Sequence, residues 1–161
     1  AVYVSKLRRT RETAGPLCER LGLEPRVDPD LHEVHLGAWE GGLFRVKAAE
    51  QDPAFLRLQA EERWDAIPGG ETPEALTTRL GRAVARMAAA HPDELVAAFV
   101  HGGVIGHLLH MATGSRPFAF NGAENGSISH LVVHGERMLV RRFNDATHLS
   151  ELIAAGAGGM T

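Results

Sequence analysis

The 161-residue chain is predicted to be an α/β protein: one three-layer α/β/α domain around a mostly parallel central sheet. Three observations predict it. Leu95-Val96-Ala97-Ala98-Phe99-Val100 is an unbroken apolar run, bounded by Asp93-Glu94 and by His101-Gly102-Gly103, and reads as a strand buried on both faces. Ala1-Val2-Tyr3-Val4 reads as a second, shorter buried strand. Amphipathic helical patterns alternate with these strands, which puts helices on both faces of the sheet.

The elements follow in order. After Val4 and Ser5, Leu7 to Leu21 has a helical pattern, with Ala14, Leu17, Cys18 and Leu21 on one side and Gly22 as its stop. Ser5 is expected as its N-cap and Thr13 as a packing hydroxyl. Arg8, Arg9 and Arg11 crowd its first turn, where cations are disfavoured by the helix dipole. A bound anion would remove that conflict; a solvated basic face is the plainer reading, and it suits Arg8 and Arg11. Glu24 to Asp30 is a connection with a short strand at Arg26-Val27. Leu31 to Gly41 has neither helical nor strand period and is expected to be an ordered, function-bearing loop. His32 and His35 in it have metal-like spacing but no further ligand nearby, so surface histidines are the better reading.

Phe44 to Ile67 is helical, broken near Asp52-Pro53, and is expected to be a lid-like excursion over residues 44–67 whose apolar residues pack as core. Pro68-Gly69-Gly70-Glu71 is a turn. Thr72-Pro73-Glu74 then starts a helix with a hydroxyl N-cap, a proline at the first position and an acid in the first turn. It runs to about Ala90 on the stripe Leu76, Leu80, Val84 and Met87, and carries Arg79 and Arg82. After the central strand, Val104, Ile105, Leu108, Leu109 and Met111 mark a helix ended by Gly114. Ile128 to His134 and Arg137 to Phe143 flank Gly135-Glu136 as a hairpin. Asn144 to Leu149 is a polar turn, and 151–161 an Ala/Gly-rich tail.

The join at His101-Gly102-Gly103 is the candidate site. Ligands of open α/β sheets bind outside the carboxyl ends of the strands, and the free N–H groups of a helix start favour anions. A histidine there can hold a phosphate or move a proton; it can equally cap a turn. Composition narrows the partners. The net charge of −3, from 17 basic and 20 acidic residues, gives no reason to expect nucleic acid. No apolar run approaches the roughly 20 residues of a membrane span, so no membrane partner is expected. The opening residues show no signal-peptide pattern, and the single Cys18, which has no internal disulfide partner, suits a reducing cytoplasm. It is expected to be buried on a helix face.

Five stretches stand in a fixed order: Ser5-x-Leu7-x-Arg9-x-x-x-Thr13-Ala14, Leu31-x-Glu33-x-x-Leu36-Gly37-x-Trp39-Glu40-Gly41, Gly70-Glu71-Thr72, Val100-His101-Gly102-Gly103-Val104-Ile105 and Asn144-Asp145-x-x-His148-Leu149. Together they resemble the motifs of the histidine phosphatase (phosphoglycerate mutase-like) superfamily. They cover nearly the whole chain, and the acid-bearing loop looks more like the phosphatase branch. The resemblance implies hydrolysis through a phosphohistidine. Arg9 would clamp the phosphate, Glu33 would protonate the leaving oxygen and then serve as base for water, and His101 would bind phosphate and transition state. The Gly102 N–H would add a backbone donor. The substrate would be a small phosphorylated metabolite. The family chemistry needs no metal and no cofactor, and it allows a homodimer.

One departure stands out. The family nucleophile lies in an Arg-His-Gly motif after its first strand, and the sequence has no Arg-His-Gly. His134-Gly135 follows Val133 at a late hairpin and is not promoted, nor is His101. The nucleophile is therefore expected upstream of Ala1, on a strand central to the sheet. A truncated, inert homologue is the competing explanation. Three functions are carried forward: a phosphomonoesterase, a bisphosphoglycerate-dependent phosphoglycerate mutase, and a non-catalytic phosphate- or partner-binding module.

Overall fold

The computed structural model describes residues 1–149. The Ala/Gly-rich segment 151–161, expected to be a tail, lies outside them. Strand β1 (Val2–Val4) is the middle of a three-stranded parallel sheet, between β2 (Arg26–Val27) and β3 (Ala97–Phe99). Its three residues are all buried. Alternation along β1 assigns the two faces. Val2 and Val4 pack on Ala14 and Cys18 of helix α1 (Arg8–Leu21), as Ala97 and Phe99 of β3 do. Tyr3 points the other way, to Leu31 and to Ala83 and Met87 of α4 (Pro73–Ala90). The parallel sheet between helices is the expected architecture, and Cys18 is the buried free thiol the pattern called for.

The local signals explain most element ends. Gly22 and Gly114 stop α1 and α5 (Gly102–Thr113) in the left-handed conformation, at φ of 63° and 66°. Thr72 Oγ1 accepts from the Ala75 N–H at 3.2 Å and Pro73 opens α4. The 44–67 excursion resolves into α2 (Leu43–Ala49), α3 (Pro53–Glu61), started by the Asp52 side chain, and a 3-10 turn at Trp64–Ala66. The hairpin is β4 (Ile128–His134) with β5 (Arg137–Asp145), and it forms a separate sheet. Among the described residues no helix is long and apolar enough to cross a membrane.

Four expectations need correction. Leu95 to Val100 is not buried on both faces: only Ala97–Phe99 pair, Ala98 is exposed and Leu95 is 83% exposed. The reason is an open edge. β3 pairs with β1 on one side and, among the described residues, with no strand on the other. Ser5 is not the N-cap of α1; Leu7 holds that position and no side chain caps it. Thr13 is exposed and donates to the Arg9 carbonyl, while Thr10, Ala14 and Cys18 form the buried stripe and Leu21 faces out. Asn144 and Asp145 extend β5 rather than forming a turn, and only Thr147–Leu149 is a 3-10 turn.

Three arginines of α4 tie it to the loop beside β2. Arg86 pairs with Asp28 and Asp30, and Arg82 with Asp30. Arg79 reaches further along the same loop. The spacing 79, 82, 86 places all three on one helix face.

Candidate active site

Parallel pairing of β1 with β3 puts Val4 opposite Phe99. The chain therefore delivers Ser5 and His101 side by side from the carboxyl ends of adjacent strands. Ser5 Oγ lies 2.8 Å from His101 Nε2, a hydrogen bond that serves either protonation state of the ring. The serine oxygen also accepts from the Leu7 N–H at 3.1 Å and meets Thr10 Oγ1 at 3.2 Å. His101 precedes α5 with extended backbone, and its ring makes no capping hydrogen bond to the helix. Of the two readings left open for it, turn capping is the one the geometry removes. Burial, then the charge of Arg9, and more weakly His32 and Arg79, pull its pKa down to about 4. At neutral pH it is an uncharged ring in a positive surrounding, ready to meet an anion.

Glu33 comes from the loop after the 3-10 turn Pro29–Leu31 and lies against Gly103 at the start of α5. Gly103 makes the approach feasible. A Cβ there would stand 2.8 Å from Glu33 Oε1 and 2.6 Å from Val34 Cγ2. Burial pushes the Glu33 carboxyl up. The N–H groups of Val34, Gly103 and Val104 and the Arg9 charge offset only part of that rise. Val34 donates to Oε1 at 2.9 Å. The result is a carboxyl that holds its proton more readily than an exposed glutamate, as a general acid must.

Arg9 stands in the first turn of α1. Its side chain makes no ion pair among the described residues, although its charge acts on both His101 and Glu33. Arg9 is exposed, and a guanidinium whose charge reaches a neutral histidine and a half-buried acid is suited to phosphate oxygens. Arg8 instead pairs with Glu12 at the surface, and Arg11 is exposed, as the plainer reading of both had it. His35 is exposed and accepts from the Gly37 N–H; His32 is half-buried, its Nδ1 2.9 Å from the Glu33 carbonyl. His134 is exposed at the end of β4. Gly102 has open space where a Cβ would stand, at the first position of α5.

Sequence reasoning missed three contributors. Ser5 orients His101. Arg79 donates to Glu71 Oε1 at 2.7 Å and Oε2 at 2.9 Å, and also to the carbonyls of Asp30, His32 and Glu33. Glu71 in turn accepts from the His35 N–H, and its own N–H donates to the His35 carbonyl. Burial alone would raise the Glu71 carboxyl, but Arg79 and the His35 N–H hold it below the usual range. The pair splints the loop that presents Glu33. The arginine stripe on α4 was the available signal, read against the acids at 28 and 30. The third contributor is the loop before β4. Asn144 accepts from the Glu124 N–H at 2.7 Å and donates to Glu124 Oε1, so the start of the C-terminal signature pins that loop beside α5.

A family model described as the histidine phosphatase superfamily (branch 1) matches residues 1–146. The chain is 32% identical over 166 aligned positions to phosphoglycerate mutase-like protein 4 of Arabidopsis thaliana, covering 98% of this chain and 70% of that protein. It is 36% identical over 115 positions to glucosyl-3-phosphoglycerate phosphatase of Mycobacterium tuberculosis, covering 66% of this chain and 51% of that one. The match thus spans about half the length of the mycobacterial relative. The solved structure of a mycobacterial glucosyl-3-phosphoglycerate phosphatase with VO3 superposes with a TM-score of 0.77 at 32% identity, covering 89% of this chain and 75% of the other.

Proposed function

The chain belongs to the histidine phosphatase superfamily, and we propose that it forms most of the active site of a phosphoric monoester hydrolase acting on a small phosphorylated metabolite. The observation that carries this reading is the meeting of three groups at one strand–helix join: the neutral His101, the half-buried Glu33, and Arg9, which makes no ion pair among the described residues and whose charge acts on both. The phosphatases among its relatives support the reaction type.

The proposed reaction has two steps. A histidine nitrogen attacks phosphorus in line, and the ester P–O bond breaks as the N–P bond forms. Glu33 gives its proton to the leaving oxygen, which departs as an alcohol. Water then attacks phosphorus, Glu33 takes back a proton, and the N–P bond breaks to release inorganic phosphate. Arg9, His101 and the Gly102 N–H stabilise charge on the transferring group. Neither step calls on a metal or an organic cofactor. The unpaired Cys18 suits a cytoplasmic setting.

The attacking histidine is proposed to lie upstream of Ala1, on a strand that pairs with the open edge of β3. Support comes from that edge, from the exposure of Leu95, and from the separation of the β4–β5 hairpin from the main sheet.

The test is acid-quenched labelling of the natural protein with a phosphodonor, followed by mapping of the labelled peptide. A phosphohistidine on a peptide outside residues 1–161 is expected. Label on His101 would overturn the assignment, and no label would favour the non-catalytic binding module. Product analysis with 3-phosphoglycerate and a bisphosphoglycerate primer separates hydrolysis from mutase activity, with free phosphate as the expected product.

A further inference from the structure

A cavity of about 260 Å³ opens against the start of α5, with Gly102 and Gly103 in its wall. Its other walls are Phe44 of α2, Leu58 of α3, Trp64 and Phe118, with the neutral amides of Gln59 and Asn121. No side chain lining it carries a charge. Two charged residues of the neighbouring segments are engaged elsewhere: Arg57 donates to the Ala66 carbonyl, and Arg116 pairs with Glu62. The aromatic wall is built from rings that brace one another. Phe44 and Trp64 stand 6.0 Å apart, and Trp64 and Phe118 4.8 Å apart, both tilted.

Position connects this cavity to the chemistry. Gly103, which forms part of its wall, is also the residue against which the Glu33 carboxylate packs. A phosphate held by Arg9 and His101 would therefore direct its ester oxygen past Glu33 and its alcohol half toward the aromatic wall. Resting on the phosphatase reading above, we propose that this cavity is the leaving-group subsite and that it selects phosphomonoesters of uncharged alcohols bearing one aromatic ring. A second carboxylate or an ammonium group on the alcohol would be desolvated there without a partner. Size agrees with the assignment. A dry cavity of about 150 Å³ holds a benzene ring, so the present volume takes a ring with a short linker. The amides of Gln59 and Asn121 leave room for one hydroxyl or ether oxygen.

Binding tests this without relying on turnover. The probes are 3-phenylpropylphosphonate, which cannot be hydrolysed, and 2-amino-4-phosphonobutanoate, of similar reach but zwitterionic at its far end. With the natural protein, calorimetry is expected to show the phenyl probe binding tighter by on the order of tenfold or more. Trp64→Ala and the milder Phe118→Leu should each shrink that ratio while leaving affinity for inorganic phosphate unchanged. Equal or reversed affinities in the natural protein would overturn the subsite, as would a ratio that both variants leave intact. Phosphate release from 2-phenylethyl phosphate reports separately on the hydrolase reading. Its absence alongside the expected binding ratio would sink hydrolysis and leave the cavity standing as a binding site for the aromatic ring.

Discussion

Arg79 and Glu71 form a two-pronged ion pair at 2.7 and 2.9 Å, nearly closed off from solvent, and the arginine's remaining N–H groups hold three carbonyls of the loop that ends in Glu33. A lysine has no fork and cannot make both sets of contacts. Arg79→Met leaves the Glu71 carboxylate buried without its cation, at a cost of about 3–5 kcal/mol by urea denaturation. Arg79→Lys is expected to retain the fold and to lose on the order of tenfold in kcat with KM little changed, because it loosens the loop that presents Glu33, the proposed proton donor, and not the proposed phosphate contacts. A loss confined to KM would contradict the splint.

Arg9→Ala should weaken binding of inorganic phosphate by on the order of tenfold or more, and Arg11→Ala should not change it. The same Arg9 variant removes a positive charge that depresses both neighbours. The His101 and Glu33 pKa values should both rise in Arg9→Ala, read by NMR titration.

Glu33→Gln has opposite effects on activity and stability. Rate loss should be far larger on alkyl than on aryl phosphates, since aryl oxides leave without a proton. Stability should rise at pH 7. The folded-state pKa of Glu33 lies above its unfolded value, so the ionised form is disfavoured by folding once pH exceeds both. The gain should shrink as pH falls toward the unfolded value near 4.5. Equal stability of the two proteins at every pH would refute the burial account.

His107 on α5 is buried, hydrogen-bonds Thr77 at 2.7 Å, and has its pKa pulled to about 4, first by burial and then by His110. A depressed histidine pKa means that the unfolded chain takes up a proton before the folded one. Its stabilising contribution is complete above the ordinary histidine value of 6.5 and is lost as pH falls through about 4. In that window the natural protein should lose up to about 1.4 kcal/mol per pH unit more than His107→Gln. Denaturant melts of both proteins at several pH values between the two limits check this.

Gly103→Ala and Gly102→Ala form a matched pair. A methyl at 103 meets Val34 and the Glu33 carboxylate, whereas at 102 it meets nothing. The first should cost about 1–3 kcal/mol and displace the Glu33 carboxyl. The second should be neutral or stabilising by up to about 1 kcal/mol, from helix propensity. Thermal melts and alkyl-phosphate rates separate them.

Much of the fold was legible because its signals are local. Gly22, Gly114 and Thr72-Pro73 end or begin helices by backbone geometry and hydrogen bonding within a few residues. The buried β1 showed in four consecutive residues. Leu95 to Val100 misled for the opposite reason: an apolar run records the burial a strand is built for, and the cover depends on which strand lies beside β3.

The sequence by itself determined the residue types of the site and their order along the chain: an arginine in a helix start, an acid in a glycine-bounded loop, a histidine before two glycines. Only the tertiary structure decided what each of them does to the others. Ser5 turned from a helix cap into the partner of His101 because parallel register sets Val4 opposite Phe99. Arg79 became a splint because α4 crosses the acid loop at that turn. The aromatic residues of 44–67, expected as core, form a core cluster and also wall a cavity at the start of α5. Such outcomes depend on contacts between residues 40 to 100 positions apart, and periodicity carries no information about which distant faces will meet.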